Sequence, residues 1–439
     1  MSFARKLPIP ETALLFANGS EPINADLVPR LPSSLPVVEY LEEDGEEVAH
    51  PAAPRGSHAV IVEKELLTSL DAVKPVYRFA FDAAGLNWQY EAGDSFDLYC
   101  SNPCSTVDEL LTRCGIKPES VVSISNHPTY TFDRISVKQL FAEHVEISQF
   151  PKKAFLRHLA EFTEDLREKR CLLYLSSRLG SSEYLALAQQ CACLVDFLAT
   201  FPSTKPTLEC LLQHLPHLFP RSYSLISSPL DDAKTVEFIA SMTTFETGEP
   251  DKRTRFGVCS GYLNDIVQVG DKISVKPRDQ VSFFKLPKDS QRPLLFICAG
   301  TAIAPFIGFL RHRQLLSEPL GQCVLYYGFR SRSADYLFKE ELEHYRKSGN
   351  LTRLRCATSR EEPKQYVQDV MLEDEDFLYE FIMDEKSLIY LCGDEMTMIK
   401  GVNDALLSIL NAKLNNLSEA QDLLKRWTSE KKILRDIWL

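Results

Sequence analysis

The stretch PRSYSLISS, residues 220–228, places a cation, an aromatic ring and hydroxyls along one predicted strand. Side chains two positions apart on a strand share a face, so Arg221 could bind a phosphate while Tyr223 stacks on a flat ring. Ser224 points to the other face or lies at a bend. A half-exposed strand without any ligand would show the same pattern, and these residues alone leave both interpretations open.

The stretch FGVCSGYL, residues 256–263, has Gly257 and Gly261 on either side of small residues, just before a helix-like apolar run. Backbone amides at the start of a helix, together with the Ser260 hydroxyl, could bind a pyrophosphate. Many loops contain two glycines and a serine, so this stretch alone is a weak indication.

The stretch PLLFICAGTAIAPFIGFLRHR, residues 293–313, reads as a buried strand that turns through small residues into a helix with Pro305 in its first turn. This outline is typical of a dinucleotide-binding loop. Further on, the hydroxyls and cations of one loop suit a ribose 2′-phosphate, and these are Ser359, Arg360, Lys364 and Tyr366. A solvated basic loop is the alternative, and the two glutamates of REEPK weaken its field.

The chain ends ILRDIWL, with Asp436 and Trp438 among its last four residues. Chain ends usually fray, so a terminal indole loses its burial unless something holds the ring. Cys392 lies in the earlier stretch IYLCGDEM. Taken singly, Asp436 is most simply a surface acid and Cys392 an inert buried thiol.

Composition bounds the function. With 439 residues, 44% hydrophobic and 25% charged, the chain has the profile of a globular protein of two or three domains. The formal charge of -12 argues against nucleic acid or an anionic membrane as partner, and no apolar run approaches the roughly 20 residues of a membrane span. Twelve cysteines without C-x-x-C, and a start that lacks a secretory signal, predict reduced thiols, no metal site and a cytoplasmic location.

The elements that must position these residues change in kind along the chain. Residues 1–56 are rich in proline and acidic residues, which predicts a flexible leader. Residues 57–285 contain alternating β-rich segments typical of a barrel, interrupted at about 106–217 by a helical insertion. Residues 286–439 alternate strands and helices, which predicts an open parallel sheet.

Together, Arg-x-Tyr-Ser on one strand and Gly-Val-x-Ser at the following helix resemble the flavin-binding signature of the ferredoxin-reductase superfamily. The resemblance implies an α/β plus β-barrel fold: an antiparallel FAD-binding barrel with an inserted helical connecting domain, then an open parallel α/β NADP(H)-binding domain. It implies that Tyr223 lies against the isoalloxazine and Ser224 near its N5. The residues that it implies for the pyrophosphate are Arg221, Gly257, Val258, Cys259 and Ser260.

The same resemblance implies NADPH in preference to NADH, at a site formed by Gly300, Thr301, Arg330, Ser359, Arg360, Lys364, Tyr366 and Asp394. This chain departs from the usual family loop, since Cys298, Ala299 and Ala302 stand where the family has Gly, Pro and Gly. The β-carbon of Ala302 could crowd the pyrophosphate or strain a positive-φ backbone. Phe329 replaces the family's usual Cys beside Arg330.

In this superfamily the terminal aromatic residue covers the flavin, which implies that Trp438 shields the isoalloxazine face used by nicotinamide. Four residues are then implied as catalytic: Ser224, Cys392, Asp436 and Trp438. Asp436 would stabilise the nicotinamide cation and handle the N5 proton, Cys392 would position nicotinamide, and Ser224 would donate a hydrogen bond to N5.

The runs GSSEYLALAQQCACLVDFLATFP, LLQHLPHLFPRSYS and APFIGFLRHR resemble the methionine synthase reductase branch of the diflavin reductases over residues 57–439. The resemblance implies a hydride transfer from NADPH to FAD, then single electrons to a separate acceptor. That acceptor would be an FMN-containing flavodoxin-like protein or the cobalamin-dependent methionine synthase. Residues 1–56 lack a flavodoxin pattern, so we expect FAD and no FMN. A decayed reductase that acts as a binding partner or chaperone, or another FAD reductase branch, are the alternatives.

Overall fold

The computed structural model describes residues 3–19, 24–41, 55–86, 88–249, 251–278 and 284–438, without the side chains of Ala25 and Trp438. Contacts between residues divide the chain into two compact units. The helical unit comprises Met1–Gly56, Tyr99–Arg221 and Thr243–Val267, and the sheet unit comprises Ser57–Leu98, Ser222–Met242 and Gln268–Leu439.

The described part of the chain contains helices and strands with the following bounds. The helices are α1 (Glu11–Asn18), α2 (Cys104–Cys114), α3 (Val137–Glu143), α4 (Lys153–Leu159), α5 (Leu166–Ser176), α6 (Ser181–Gln189), α7 (Leu194–Thr200), α8 (Leu208–His214), α9 (Val258–Gly261), α10 (Ala304–Gln314), α11 (Lys339–Ser348), α12 (Val367–Glu373), α13 (Glu375–Met383), α14 (Lys400–Leu414) and α15 (Leu417–Ser429). The strands are β1 (Val37–Tyr40), β2 (Ser57–Leu66), β3 (Val76–Asp82), β4 (Ser95–Tyr99), β5 (Val121–Ser125), β6 (Phe132–Ser136), β7 (Arg221–Ser224), β8 (Thr235–Ser241), β9 (Thr244–Glu246), β10 (Thr254–Phe256), β11 (Lys272–Pro277), β12 (Leu294–Ala299), β13 (Cys323–Phe329), β14 (Arg353–Thr358), β15 (Leu388–Asp394) and β16 (Ile433–Trp438).

The helical unit is built around the run of helices from α2 to α8. Their leucines recur three and four positions apart, and this spacing turns one face of each helix into a shared apolar core. Side chains that cap the helices mark where they begin: Asp165 accepts hydrogen bonds from the first-turn amides of α5, and Thr207 does so for α8. Strands β1, β5 and β6 form a small antiparallel sheet in the same unit.

The start of the chain differs from the predicted flexible leader. Ala4, Leu7, Ala13 and Ala17 lie in the core of the helical unit, and α1 packs against α5. The Arg5 amide also donates a hydrogen bond of 2.9 Å to the buried Asp196 carboxylate. The leader prediction therefore does not hold for residues 3–19, because small side chains one helical turn apart provide an apolar face. Most of the acidic run, residues 42–50, lies outside the described residues.

The barrel lies in the sheet unit, with strand order β7-β4-β11-β2-β3-β8. The pairs β11–β2, β2–β3 and β3–β8 are antiparallel. Leu225, directly after β7, bridges to Phe238 of β8, so the two end strands meet and the sheet closes. Inward-facing aromatic rings fill the barrel, and these are Phe79, Phe81, Phe96 and Phe238.

The second sheet of this unit is fully parallel, with order β14-β13-β12-β15-β16. Apolar residues cover both of its faces, as expected for a parallel sheet between helices. The strand order reverses between β12 and β15, and ligands of such sheets bind outside the carboxyl ends of the strands at this reversal. The predicted fold class, a barrel with a helical insertion and an open parallel α/β domain, is confirmed. In the part of the chain that the structure describes, no helix combines the length and apolarity needed to cross a membrane.

Candidate active site

Three of the four residues predicted to be catalytic meet in the sheet unit. The Ser224 hydroxyl donates a hydrogen bond of 3.2 Å to Asp436 Oδ2, although the two residues are 212 positions apart. The Cys392 Sγ lies 3.9 Å from the same oxygen. The parallel pairing of β15 with β16 places Cys392 and Asp436 opposite each other, and Ser224 ends β7. We call Ser224, Cys392 and Asp436 the catalytic corner.

Burial controls the protonation of the catalytic corner. It raises the pKa of the Asp436 carboxyl, while the Ser224 hydroxyl, Arg278 and the Cys392 thiol act in the opposite direction. Burial, then the charge of Asp436, raises the pKa of Cys392 well above its usual value. The thiol therefore remains a neutral donor, and the carboxyl holds a proton more readily than an exposed aspartate does. A hydroxyl, a thiol and a proton-holding carboxyl can orient a ligand and exchange a proton with it.

The terminal indole is only partly described. The backbone of Trp438 pairs with Asp394 at the end of β16. Its side chain lies outside the described residues, so the predicted stacking of this ring stays a prediction.

Tyr223 sits one residue before the catalytic corner, among barrel aromatics. Its ring centroid lies 5.2 Å from that of Phe238 and 6.1 Å from that of Phe96. The hydroxyl of Ser222, the preceding residue, donates to Asp97 at 2.6 Å and so takes no part in the corner.

A cavity of about 720 Å³ lies at the carboxyl ends of the parallel strands. Six of the residues predicted to bind NADPH line it: Gly300, Thr301, Arg330, Ser359, Tyr366 and Asp394. Arg360 and Lys364 are exposed and are not among its lining residues. We call this cavity the dinucleotide cavity.

Local backbone features shape this cavity. Gly300 has φ of +58°, a left-handed conformation that favours glycine, and no atom lies within 4 Å of where its β-carbon would be. The Asp394 carboxylate accepts hydrogen bonds from the Thr397 amide at 2.8 Å and its hydroxyl at 2.7 Å. This cap fixes the helical turn Glu395–Ile399 beside the cavity.

The predicted 2′-phosphate loop gathers two cations around Tyr366. The Lys364 ammonium lies 5.3 Å from the centre of the Tyr366 ring. Hydrogen bonds from Lys364, which has the larger effect, and from Arg360 lower the pKa of the Tyr366 hydroxyl. Glu361, expected to weaken the field of this loop, instead accepts hydrogen bonds from the Ser331 hydroxyl at 2.7 Å and the Arg332 amide at 2.6 Å. We call Arg360, Lys364 and Tyr366 the basic loop.

The alanine that departs from the family loop does not crowd the cavity. Ala302 is fully buried in the apolar core, within the helical turn Gly300–Ile303, and is not a lining residue. The positive φ of this loop belongs to Gly300. Cys298 is likewise fully buried. Phe329 lines the cavity and stacks on Tyr336 with ring centroids 4.3 Å apart.

The predicted pyrophosphate residues lie in the helical unit. The Gly257 amide donates to the Thr243 carbonyl at 2.9 Å, and the Thr243 amide donates to the Ser260 hydroxyl at 3.0 Å. Val258, Cys259 and Ser260 form α9, which continues into the turn Tyr262–Ile266. Arg221 donates to the Phe219 carbonyl at 2.6 Å and lies 3.8 Å from Glu146.

Sequence reasoning missed several lining residues of the dinucleotide cavity: Lys74, Val76, Ser241, Asp335, Gln365, Gln368, Thr397 and Met398. Thr397 could have been found, because an acid three residues before it at a strand end is a helix-cap signature. Lys74 and Ser241 come from barrel segments far away in the chain, and no local motif marks them.

Comparisons with known proteins agree with this geometry. Residues 52–262 match the family described as FAD binding domain, and residues 296–404 match the oxidoreductase NAD-binding domain. Methionine synthase reductase of Mus musculus is 34% identical over 94% of this chain, and the match covers 66% of that relative. The Homo sapiens protein of that name is also 34% identical, with 94% and 65% covered. NADPH–cytochrome P450 reductase of Dictyostelium discoideum is 31% identical, with 87% and 58% covered. The chain thus spans just under two thirds of the methionine synthase reductases that it matches.

Proposed function

Because the chain belongs to the family of flavoprotein reductases that join an FAD-binding domain to an oxidoreductase NAD-binding domain, we propose that it is an NADPH-dependent FAD oxidoreductase. When bound, FAD would accept a hydride from NADPH and release single electrons to a separate acceptor. The observation that carries the proposal is the catalytic corner, since its hydroxyl, thiol and carboxyl meet from distant parts of the chain.

In the catalytic corner, Asp436 orients the two donors. Its carboxylate oxygen accepts from Ser224 and from Cys392, so both donors are fixed before any ligand enters. We assign the hydrogen bond to flavin N5 to Ser224, whose single hydroxyl proton would turn from Asp436 to N5 when FAD is bound, and the positioning of nicotinamide to Cys392. Burial raises the pKa of Asp436, and this suits a group that holds a proton in one step and carries negative charge in another. Trp438 would cover the nicotinamide face of the flavin.

The donor set around the dinucleotide cavity fits NADPH. The open space beside Gly300 leaves room for a pyrophosphate, and Thr301, Ser359 and Arg330 supply donors. We assign the ribose 2′-phosphate to Arg360 and Lys364 of the basic loop, beside Tyr366. Asp394 would act through the turn that it caps. These cations favour NADPH over NADH, because only NADPH carries that phosphate.

The FAD contacts are proposed within each unit separately. In the helical unit, Gly257, Val258, Cys259 and Ser260 would support the pyrophosphate with amides and a hydroxyl, and Arg221 would add a cation. The hydrogen bond from the Thr243 amide already orients the Ser260 hydroxyl. In the sheet unit, Tyr223 would lie against the isoalloxazine. We keep the division into an FAD-binding part, residues 57–285 with its helical insertion, and an NADP(H)-binding part, residues 286–439.

The chain is 33–34% identical to four methionine synthase reductases and 29–31% identical to four NADPH–cytochrome P450 reductases. We therefore propose that the electrons serve the reductive reactivation of cobalamin-dependent methionine synthase in the cytoplasm. The acceptor would be that enzyme itself or an FMN-containing flavodoxin-like protein.

Anaerobic mixing of the FAD-loaded protein with NADPH tests the proposal. We expect rapid bleaching of the visible flavin bands, with NADH much less effective. A yellow colour that persists in excess NADPH would contradict the reductase and favour a flavin-containing binding protein. If bleaching occurs, reoxidation by methionine synthase, a flavodoxin-like FMN protein and cytochrome c separates this acceptor assignment from another reductase branch.

A further inference from the structure

The chain directly after β7 lies against helix α10. A β-carbon added to Gly308 of α10 would come within 2.8 Å of the Leu225 carbonyl oxygen, so this close approach requires a glycine. One helical turn further on, the Nδ1 atom of His312 lies 3.0 Å from the Ser228 hydroxyl oxygen. Both contacts fall on the residues that follow the serine of the catalytic corner. We call residues 225–228 the β7 extension.

Arg311 of the same helix joins the β7 extension to two acids. Its Nη1 atom donates to the Ile226 carbonyl at 3.3 Å and to the Glu237 carboxylate at 2.7 Å. Its Nε and Nη2 atoms donate to the two oxygens of the Glu341 carboxylate, at 2.8 Å and 3.1 Å. This bidentate pair orients the guanidinium, and because only 22% of the side chain is exposed, water screens these contacts only in part.

Glu237 of β8 holds the β7 extension from the barrel side. Its backbone carbonyl accepts a hydrogen bond of 2.9 Å from the Ile226 amide, and its amide donates one of 3.1 Å to the Ser227 hydroxyl. Its carboxylate also accepts a hydrogen bond of 3.1 Å from Arg78 of β3. Ile226 is therefore held at its amide by Glu237 and at its carbonyl by Arg311.

The place of the Ser224 hydroxyl depends on this backbone. Ser224 belongs to the barrel strand β7, whereas Asp436 belongs to the parallel sheet, and the hydroxyl meets the carboxyl at 3.2 Å. This distance is long for a hydrogen bond between two oxygen atoms, so a displacement of about 0.5 Å would break it. Arg311 connects the same two parts, because α10 follows β12 of the parallel sheet and the β7 extension follows the barrel strand.

We propose that Arg311 is a positioning residue of the flavin reduction. By binding the Ile226 carbonyl and the Glu237 carboxylate, it holds the β7 extension on α10 and so keeps the Ser224 hydroxyl in the catalytic corner. The inference rests on the proposed function, which assigns the hydrogen bond to flavin N5 to that hydroxyl. Arg311 is not among the described residues that line the dinucleotide cavity. Its loss should therefore lower the rate of flavin reduction and leave KM for NADPH within about twofold of the wild type.

A double-mutant cycle on anaerobic flavin reduction by NADPH, with the FAD-loaded full chain, tests the inference. Arg311→Gln should slow single-turnover bleaching about tenfold, and in a Ser224→Ala background it should slow bleaching no further, because the hydroxyl that it positions is gone. Arg353→Gln is the matched control and should leave both rates unchanged. Arg353 likewise binds a carboxylate, that of Asp374 at 2.7 Å, but lies on β14, at the opposite edge of the parallel sheet from β16.

Hydrogen exchange measured by mass spectrometry gives a second readout that does not require NADPH. The Ile226 amide donates to the Glu237 carbonyl, so it should exchange slowly in the wild type. In Arg311→Gln, a peptide that covers the β7 extension should exchange about tenfold faster, while peptides of β12 keep the wild-type rate. Arg353→Gln should exchange like the wild type in both regions.

Three results would overturn the inference: Arg311→Gln that bleaches at the wild-type rate, equal slowing by Arg311→Gln in both backgrounds, or unchanged exchange of the β7 extension. Each of them leaves the proposed function standing if the wild type bleaches. A wild type that NADPH cannot bleach would instead refute the proposed function, and the exchange measurement would then decide alone whether Arg311 holds the β7 extension.

Discussion

The catalytic corner and the basic loop position polar side chains in opposite ways. In the catalytic corner, strand register and burial hold Ser224, Cys392 and Asp436 in place. The Ser224 hydroxyl already donates a hydrogen bond of 3.2 Å to the Asp436 carboxyl. In the basic loop, Arg360 and Lys364 are exposed side chains, and the Lys364 ammonium lies 5.3 Å from the centre of the Tyr366 ring. The side chains of the catalytic corner are preorganised, whereas the basic loop provides exposed positive charge that can bind an anion.

Because the catalytic corner is preorganised and the basic loop is exposed, we expect the corner to control the rate of the reaction and the loop to control the affinity for NADPH. Preorganised donors stabilise a transition state because they need no rearrangement when charge develops. Exposed cations contribute mainly to ground-state binding, and salt screens them. Changes in the corner should therefore lower kcat, and changes in the basic loop should raise KM for NADPH.

The largest effect is expected from Asp436→Asn, which keeps the shape of the side chain and removes its charge and its proton. We expect kcat for NADPH-driven flavin reduction to fall about a hundredfold, with KM within about twofold of the wild type. Steady-state kinetics with a chemical electron acceptor measures both. Asp422→Asn, at an exposed acid of α15, is the control and should match the wild type. A variant with a higher KM and an unchanged kcat would place Asp436 outside the reaction and remove the contrast with the basic loop.

The next effect is on cofactor choice. Arg360→Gln should raise KM for NADPH roughly tenfold and leave NADH unchanged, because charge-assisted hydrogen bonds to phosphate are lost only with the phosphorylated cofactor. Arg332→Gln serves as the control, since Arg332 is an exposed cation of the neighbouring loop that pairs with Glu361. Equal losses for the two cofactors would move the 2′-phosphate to another part of the cavity.

The stability of the protein should depend on pH in a way that reflects the burial of Asp436 in the catalytic corner. Burial raises the pKa of the Asp436 carboxyl. The folded protein therefore keeps the carboxyl proton to a higher pH than the unfolded chain, in which aspartates have a pKa of about 3.9. The wild type should therefore lose stability as pH rises from about 4 through the folded pKa and lose no more above it. Asp436→Asn cannot lose this proton, so its stability relative to the wild type should rise across that interval. Urea unfolding of both proteins from pH 4 to pH 7 measures this difference in the free energy of unfolding. If the two free energies change with pH in parallel, the prediction is contradicted.

The smallest effect is expected from Ala302→Gly, which restores the usual family residue. Ala302 is buried away from the dinucleotide cavity, so NADPH affinity should not change. Stability should fall by about 0.5–1 kcal/mol, because glycine costs more conformational entropy in a helical turn. Calorimetric titration and thermal unfolding check the two parts. A clear gain in NADPH affinity would show that the β-carbon at this position obstructs the cofactor after all.

Much of the fold could be predicted because periodicity is a local property. The change from alternating to helical spacing separated the barrel strands from α2–α8, and the strand–loop–helix outline located β12 and α10. The start of the chain was harder. Its proline and acidic content suggested a leader, while the burial of Ala13 and Ala17 depends on α5, which lies far along the chain.

The catalytic corner could be predicted only through family resemblance. No spacing in the sequence connects Ser224 to Asp436, and their contact depends on how the barrel and the parallel sheet pack within one unit. Lys74 was missed for the same reason.

The central claim is that the hydroxyl of the catalytic corner acts on the reacting atoms, and the single-turnover rate of flavin reduction tests it most directly. Ser224→Ala should slow anaerobic bleaching by NADPH by roughly ten- to a hundredfold, the value of a hydrogen bond to a charged group. Ser222→Ala, two residues earlier on β7 with its hydroxyl on Asp97, should reduce flavin at the wild-type rate. Wild-type bleaching in Ser224→Ala, or equal slowing in both variants, would contradict the account.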